Sequence, residues 1–244
     1  MTTPSNHVNI DGDVIRYSAG FSSEGEALPH MLSTVKSMIK RIVEGAQAKT
    51  YTVLLTRDGN FREEVATLQP YKGNRKGSRK PDNYEVMTEY LAVYHHGWFV
   101  DGEEADDQLG IRCINNGDTI ATIDKDLDNV PGWHYNWQKD RLYYVTPLEA
   151  MHNFYTQLLT GDAVDHIPGL YKLTGKRASK KLKQGVKDCT LDKEAYAHIY
   201  WTYREASDAE PEQVRAWLTE IGQLLWIRHN EGEMWQPPIA LEIP

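Results

Sequence analysis

The first 56 residues constrain the fold more than any other stretch of this chain. A short apolar run, Val8 to Ile10, is followed by "LPHMLSTVKSMIKRIVEGAQ". There Leu28, Met31, Leu32, Val35, Met38, Ile39 and Ile42 recur at three- and four-residue steps; "TYTVLLT" follows from Thr50 to Thr56. The outer pieces read as β-strands and the middle one as a helix with a single apolar face. Strand, helix, strand implies a βαβ unit and hence a parallel sheet. Further on, a helix is predicted over "EEADDQLGIRCINN", a strand over "DTIATID", and a helix over "PLEAMHNFYTQLL", opened by a proline at a favoured first-turn position.

After Gly161 the character changes. "LDKEAYAHIYWTYREA" and "PEQVRAWLTEIGQLLWIRHN" are helical, and the second places Val214, Trp217, Leu218, Ile221, Leu224 and Leu225 on one stripe. The expected organisation is an α/β core over residues 1–160 and a helical lobe over 161–244. A chain of 244 residues suffices for this, and no apolar run approaches the roughly 20 residues of a membrane span. "MTTPSNHVNI" lacks the layout of a signal peptide, so the expected location is the cytoplasm, that of the host for a phage-encoded chain. Only Cys113 and Cys189 are present, without a CxxC pair, which argues against zinc-site and disulfide frameworks. Cys113 shares a helical face with Ala105 and Leu109 and is expected in the core, and Trp98, Trp133 and Trp137 are expected in core or sheet packing rather than as base-stacking platforms.

The net charge is −8, yet the positive charge is concentrated. Five of the nine residues from 72 to 80 are basic: Lys72, Arg75, Lys76, Arg79 and Lys80. A second segment carries Lys172, Lys176, Arg177, Lys180, Lys181, Lys183 and Lys187 with no acid among them. Two cationic segments on an acidic chain fit local contacts with a polyanion.

The acids are also placed selectively. In an open parallel sheet, ligands gather at the carboxyl ends of the strands. Asp11 follows the first predicted strand, Asp58 the second, and Asp124 and Asp126 the strand "DTIATI". "EEADD" opens a helix, with Glu104 and Asp107 three apart and Asp106 beside them; "GDAVD" repeats the spacing with Asp162 and Asp165. Convergence of so many carboxylates would require cations. Oxygen-only ligation fits Mg²⁺ or Mn²⁺, and two such ions about 4 Å apart serve a phosphodiester displacement.

Five segments in this order resemble the 5′ to 3′ exonuclease and flap-endonuclease family of phages and bacterial polymerase I N-terminal domains. They are "DGD" at Asp11, "NFREE" through "YKGNR" from Asn60 to Arg75, "EADD" at Glu104, "DKDL" at Asp124, and "GDAVDHIPGL" from Gly161 to Leu170. The character is closest to the compact exonucleases of short-tailed phages, because the stretch from Arg75 to Glu104 is short for a full helical arch. The resemblance implies a PIN-like parallel-sheet nuclease core flanked by helices, followed by a lobe with a helix-hairpin-helix. It implies one metal surrounded by Asp11, Asp58, Glu104 and Asp106, and a second served or flanked by Asp107, Asp124, Asp126, Asp162 and Asp165. Lys72 and Arg75 would act on the scissile phosphate. "HIPGLYKLTGKRASKKL" would be the duplex grip, giving DNA contacts through Gly169, Gly175, Lys176, Arg177 and Lys180 beside those of Lys76, Arg79 and Lys80. Related proteins hold K⁺ at this element; here Lys172 or Leu173, with Thr174, replaces the family's "GIG". The implied partner of this expected monomer is a DNA 5′ end in duplex, nick, gap or flap form, or an RNA/DNA hybrid.

Two other function classes fit parts of the chain. Asp11 and Asp13 match the nucleophile and general acid of a haloacid-dehalogenase-like phosphatase, whose last acidic motif should follow a buried strand. A non-catalytic DNA-end-binding protein would use the basic segments and leave the acids as helix caps. If the phosphatase reading is set aside, Asp13 is expected to stand behind the metal ligands or to cap a helix.

Overall fold

The computed structural model describes residues 3–75 and 77–238, so Lys76, one of the expected DNA contacts, lies outside the described residues. The strands are β1 (His7–Asp11), β2 (Thr50–Thr56), β3 (Gly97–Val100), β4 (Thr119–Ala121), β5 (Gly132–Asn136) and β6 (Arg141–Val145). The helices are α1 (Gly12–Ser22), α2 (Leu28–Gly45), α3 (Phe61–Val65), α4 (Tyr84–Tyr94) and α5 (Ala105–Asn116), then α6 (Pro147–Thr160), α7 (Leu170–Thr174), α8 (Lys180–Lys187), α9 (Asp192–Ala206) and α10 (Pro211–Leu225). None is long and apolar enough to cross a membrane.

The chain divides into two compact units. A sheet unit is drawn from Met1–Asn60, Ser78–Thr146 and Ile227–Glu231, and a helical unit from Phe61–Gly77, Pro147–Trp226 and Gly232–Pro244. This differs from a divide at residue 160. α6 belongs with the helices because Phe154, Tyr155, Leu158 and Leu159 are buried in the same cluster as Tyr196, Tyr200 and Leu218.

In the sheet unit the strands run in the order β3-β2-β1-β4-β5-β6. The first five are parallel, and β6 returns antiparallel to β5. Both faces are covered, which explains the unbroken apolar run in β2. Val53 and Leu55 enter a core with Ile10, Ile15, Val35 and Met87, while Leu54 enters the opposite one with Leu109, Cys113 and Ile120. Each fully buried aliphatic side chain of this kind contributes about 1.5–3 kcal/mol relative to exposure.

Gly12 explains the "DGD" spacing. A Cβ there would stand 2.6 Å from the Leu54 carbonyl oxygen, so glycine alone lets α1 start directly against β2. Cys113 is buried as expected, and burial pushes its thiol up to about 12. Trp98 lies in the sheet, on edge strand β3, where it is 59% exposed with the Arg112 guanidinium 5.2 Å from its ring centre.

The helical unit packs α6, α8, α9 and α10 around one core, with Val214, Leu218, Ile221, Leu224 and Leu225 buried and Trp217 packed at its margin. Arg62, from the "NFREE" segment, is 1% exposed. Its Nε donates to the Leu224 carbonyl at 3.0 Å and its Nη2 to the Trp226 carbonyl at 2.7 Å, closing the C-terminal end of α10. Arg62→Met would leave both acceptors without these donors, at a cost of about 2–4 kcal/mol. Urea unfolding of the variant should show a markedly lower midpoint; an unchanged midpoint would mean that this bond pair does not hold the helical unit together.

Candidate functional site

Because β1, β2 and β4 are parallel, their C-terminal ends share one edge, and the sheet unit's acids are arranged from that edge. Asp11, the last residue of β1, is 2% exposed. One carboxylate oxygen accepts the Val14 N–H at 3.0 Å, capping α1, and the other accepts the Thr122 hydroxyl at 2.8 Å. Thr122 follows β4, and its hydroxyl in turn accepts the Asp124 N–H at 3.0 Å. Asp124 then caps the short turn Lys125–Asn129 by accepting the Asp126 N–H at 2.9 Å. Asp11, Asp124 and Asp126 are thereby joined in one chain of bonds.

Burial, and after it the Asp13 carboxylate, pushes the Asp11 carboxyl up to about 7; Asp124 adds a smaller push. Burial also raises Asp13, against the lowering effects of Arg16 and Thr56, and Glu104 raises it further. Asp11, Asp13, Asp124 and Glu104 are therefore one electrostatic set. Asp13 is more than a helix cap: it accepts the Thr56 N–H at 3.1 Å and pairs with Arg16 at 2.8 Å. The sequence offered only its place two residues after Asp11, since Arg16 and Thr56 become its partners through the fold.

The "EADD" residues separate into distinct roles. Glu104 is the N-cap of α5, and Glu104 and Asp107 exchange hydrogen bonds between side chain and backbone. Asp107 is fully buried; one oxygen accepts the Glu104 N–H at 3.1 Å and the other the Arg228 N–H at 3.2 Å. Both of its oxygens thus serve the structure, although the family pattern makes it serve or flank a metal. Glu104 and Asp106 are half-buried. Glu103, which the sequence did not single out, is buried and paired with Arg228 at 2.6 Å. Asp58 is exposed, and it is not among the carboxylates pressing on Asp11 or Asp13. Its neighbour Arg57 pairs with Asp101 at 3.4 Å.

Among the described residues, no three His, Cys, Asp or Glu side chains form a preformed cage for an ion. Mg²⁺ does not require one: it keeps several waters and is commonly held by one or two carboxylates together with substrate phosphates. An all-oxygen donor set with a buried carboxylate pressed by neighbouring acids fits a hard divalent cation.

In the helical unit, the segments "YKGNR" and "GDAVDH" are bound to each other. Asp165 accepts the Tyr71 hydroxyl at 3.0 Å, pairs with Arg75 at 2.5 Å, and lies 3.7 Å from the Lys72 ammonium. The Lys72 N–H donates to the Asp165 carbonyl at 2.9 Å, the Asn74 amide to the Ala163 carbonyl at 2.9 Å, and His166 to the Pro70 carbonyl at 3.0 Å. Asp162 accepts the N–H groups of Val164 and Asp165 at 2.6 and 3.1 Å, holding the turn. Two of the expected phosphate-binding cations are therefore positioned by an expected metal ligand.

α7 and α8 form the helical hairpin. Gly169 is the N-cap of α7, and Gly175, at φ +75°, ends it in a left-handed conformation that a side chain would strain. Ser179 caps α8 by accepting the Leu182 N–H at 3.2 Å. Lys176 donates to the Glu205 carbonyl at 2.9 Å, Arg177 lies 5.2 Å from the exposed Tyr171 ring centre, and Lys180 opens α8. In the sheet unit, Arg79 is held by a bidentate pair with Glu24 at 2.6 and 2.8 Å, and Lys80 lies 4.3 Å from the Tyr84 ring centre.

This is the fold of the 5′-exonuclease and flap-endonuclease class. Three solved structures from bacteriophage T5 show the likeness. The flap endonuclease in a pseudo-enzyme–product complex with DNA and metal ions is 17% identical, with 88% of each chain covered and a TM-score of 0.62. The same protein co-crystallised with metal ions is 16% identical, with 88% of this chain and 89% of that one covered and a TM-score of 0.65. A lysine-to-alanine variant of the T5 5′-exonuclease is 17% identical, with 90% and 88% covered and a TM-score of 0.60. No protein-family model and no curated protein sequence matches the chain.

The raised Asp11 pKa has a definite sign. Between the ordinary carboxylate range and about pH 7 the native protein binds a proton that the unfolded chain does not, so this group destabilises as pH rises. In chelator, the melting temperature of Asp11→Asn should exceed that of the wild type by several degrees at pH 8, and the difference should shrink toward pH 5. Asparagine also caps helices, so the α1 start is retained. Calorimetry across this range checks the prediction; a variant less stable than the wild type at pH 8 would contradict it.

Proposed function

We propose that this protein is a divalent-metal-dependent 5′ to 3′ exonuclease or flap endonuclease that hydrolyses phosphodiesters at DNA 5′ ends. The observation that carries this reading is the buried Asp11 carboxylate at the edge of a parallel sheet, bonded to Thr122 and pressed by Asp13 and Asp124. The shared fold supports it, as do the metal ions and DNA in the matched T5 complex. Two Mg²⁺ or Mn²⁺ ions would be held by Asp11, Glu104, Asp106, Asp124 and Asp126. Asp58, Asp162 and Asp165 have weaker claims, and Asp107 acts as a structural cap. When bound, such ions activate water and neutralise charge on the entering and leaving oxygens.

The chain's own residues supply the rest. Lys72 and Arg75 offset charge building on phosphate oxygens in the transition state, with Asp165 holding both in place. The α7–α8 hairpin, with Lys176, Arg177 and Lys180, grips the duplex backbone without reading sequence. K⁺ is not part of this proposal, because Lys172 or Leu173, with Thr174, stands where the family has its glycine motif. The monomer, in the cytoplasm, would act on duplex, nicked, gapped or flapped ends and on RNA/DNA hybrids.

The phosphatase alternative fits less well. "GDAVD" follows α6 and not a strand, and the Asp13 carboxylate is occupied by Arg16 and the Thr56 N–H.

Cleavage of 5′-labelled duplex and 5′-flap DNA tests the proposal. Mg²⁺ should release short 5′ products and chelator should abolish them. Asp126→Asn should lose at least about 100-fold in turnover while keeping most DNA binding, and Lys72→Ala about 100-fold without unfolding. Full activity in both variants would overturn the site assignment; hydrolysis of only a small phosphomonoester would overturn the reaction class.

A further inference from the structure

Thr56, the last residue of β2, uses all of its polar groups to join three elements. Its N–H donates to Asp13 at 3.1 Å and its carbonyl accepts from Arg16 Nη2 at 3.0 Å, so α1 holds the Thr56 backbone on both sides of its Cα. Its hydroxyl accepts the Ala105 N–H at 2.9 Å, and its side chain helps hold the Asp13 carboxyl down against burial. That N–H belongs to the first residue of α5, one of the orphan donors at a helix start. Glu104, the α5 N-cap, uses its own side chain on the Asp107 N–H. The α5 N-terminus is therefore capped from outside by the end of a neighbouring strand.

We propose that Thr56 is a positioning residue: its hydroxyl sets the Glu104–Asp106 segment against Asp11 and Asp13, and so governs the site's affinity for a divalent cation. The inference rests on the acidic edge being a divalent-cation site. Thr56 is not itself placed as a ligand; it acts through the carboxylates it spaces. A hydroxyl suits this role because it can donate to Asp13 and accept from Ala105 at once. Valine keeps the β-branched shape of a strand residue but can do neither. Serine can do both.

The test is a Mn²⁺ titration of the full chain, with free ion read by electron paramagnetic resonance, for wild type, Thr56→Val and Thr56→Ser. Loss of an outer hydrogen bond at a metal site typically weakens binding by about 10–100-fold. Thr56→Val should fall in that range while its circular dichroism remains native, and Thr56→Ser should stay within about threefold of wild type. Native circular dichroism with wild-type affinity in Thr56→Val would overturn the inference and leave the metal-site reading intact. Absence of Mn²⁺ binding by the wild type would overturn that reading and the inference with it. Should Thr56→Val not fold, amide exchange in the wild type decides. An Ala105 N–H protected well beyond a frayed first turn supports the clamp, and one that exchanges freely overturns it.

Discussion

Burial of the Asp11 carboxylate is the constraint around which the sheet unit's acidic edge is built. An ionised carboxylate with almost no solvent contact requires bonded partners or a counter-charge. The fold supplies two donors, the Val14 N–H and the Thr122 hydroxyl, and then surrounds the group with further acids, Asp13 above all. Such an arrangement wastes folding stability unless a cation completes it. Carboxylates raised by burial and by neighbouring acids concentrate at functional sites, where a task other than stability keeps the charge.

Most acids on this edge have a structural task. Asp11 caps α1, Asp124 caps the turn after β4, and Glu104 and Asp107 cap α5. Helix starts tolerate negative charge because the helix dipole and free N–H groups favour it. The same bonds that end each strand and begin each helix therefore aim the carboxylates. In the helical unit the logic is inverted: one carboxylate, Asp165, holds two cations, Lys72 and Arg75, on a segment with little regular structure. There the acid orders the bases.

Much of this was legible in the chain. The apolar steps of α2 and the β-branched run of β2 announced a parallel sheet, and the order of the acidic segments announced its edge. Strands β3, β5 and β6 were not legible, since "GWFV" and "GWHYN" carry neither alternation nor a long apolar run. Trp98 was expected in core or sheet packing and does lie in the sheet, but on an edge strand, where its ring stays at the surface beside the Arg112 guanidinium. The division of the chain could not be read locally either, because residues 61–77 join helices that begin some 70 residues later. Asp107 and Asp106 are adjacent and chemically alike; full burial and bonds from the Glu104 N–H and from the Arg228 N–H, 121 residues away, set Asp107 apart as a structural acid.

The most direct test of the central claim is an anomalous difference map from crystals soaked in Mn²⁺. The account predicts a peak about 2.1 Å from the Asp11 carboxylate, a typical distance for a small hard cation, with Glu104, Asp106, Asp124 or Asp126 completing the coordination directly or through water. A map with no peak at Asp11, or with Mn²⁺ bound only at the Asp162–Asp165 turn, would contradict it.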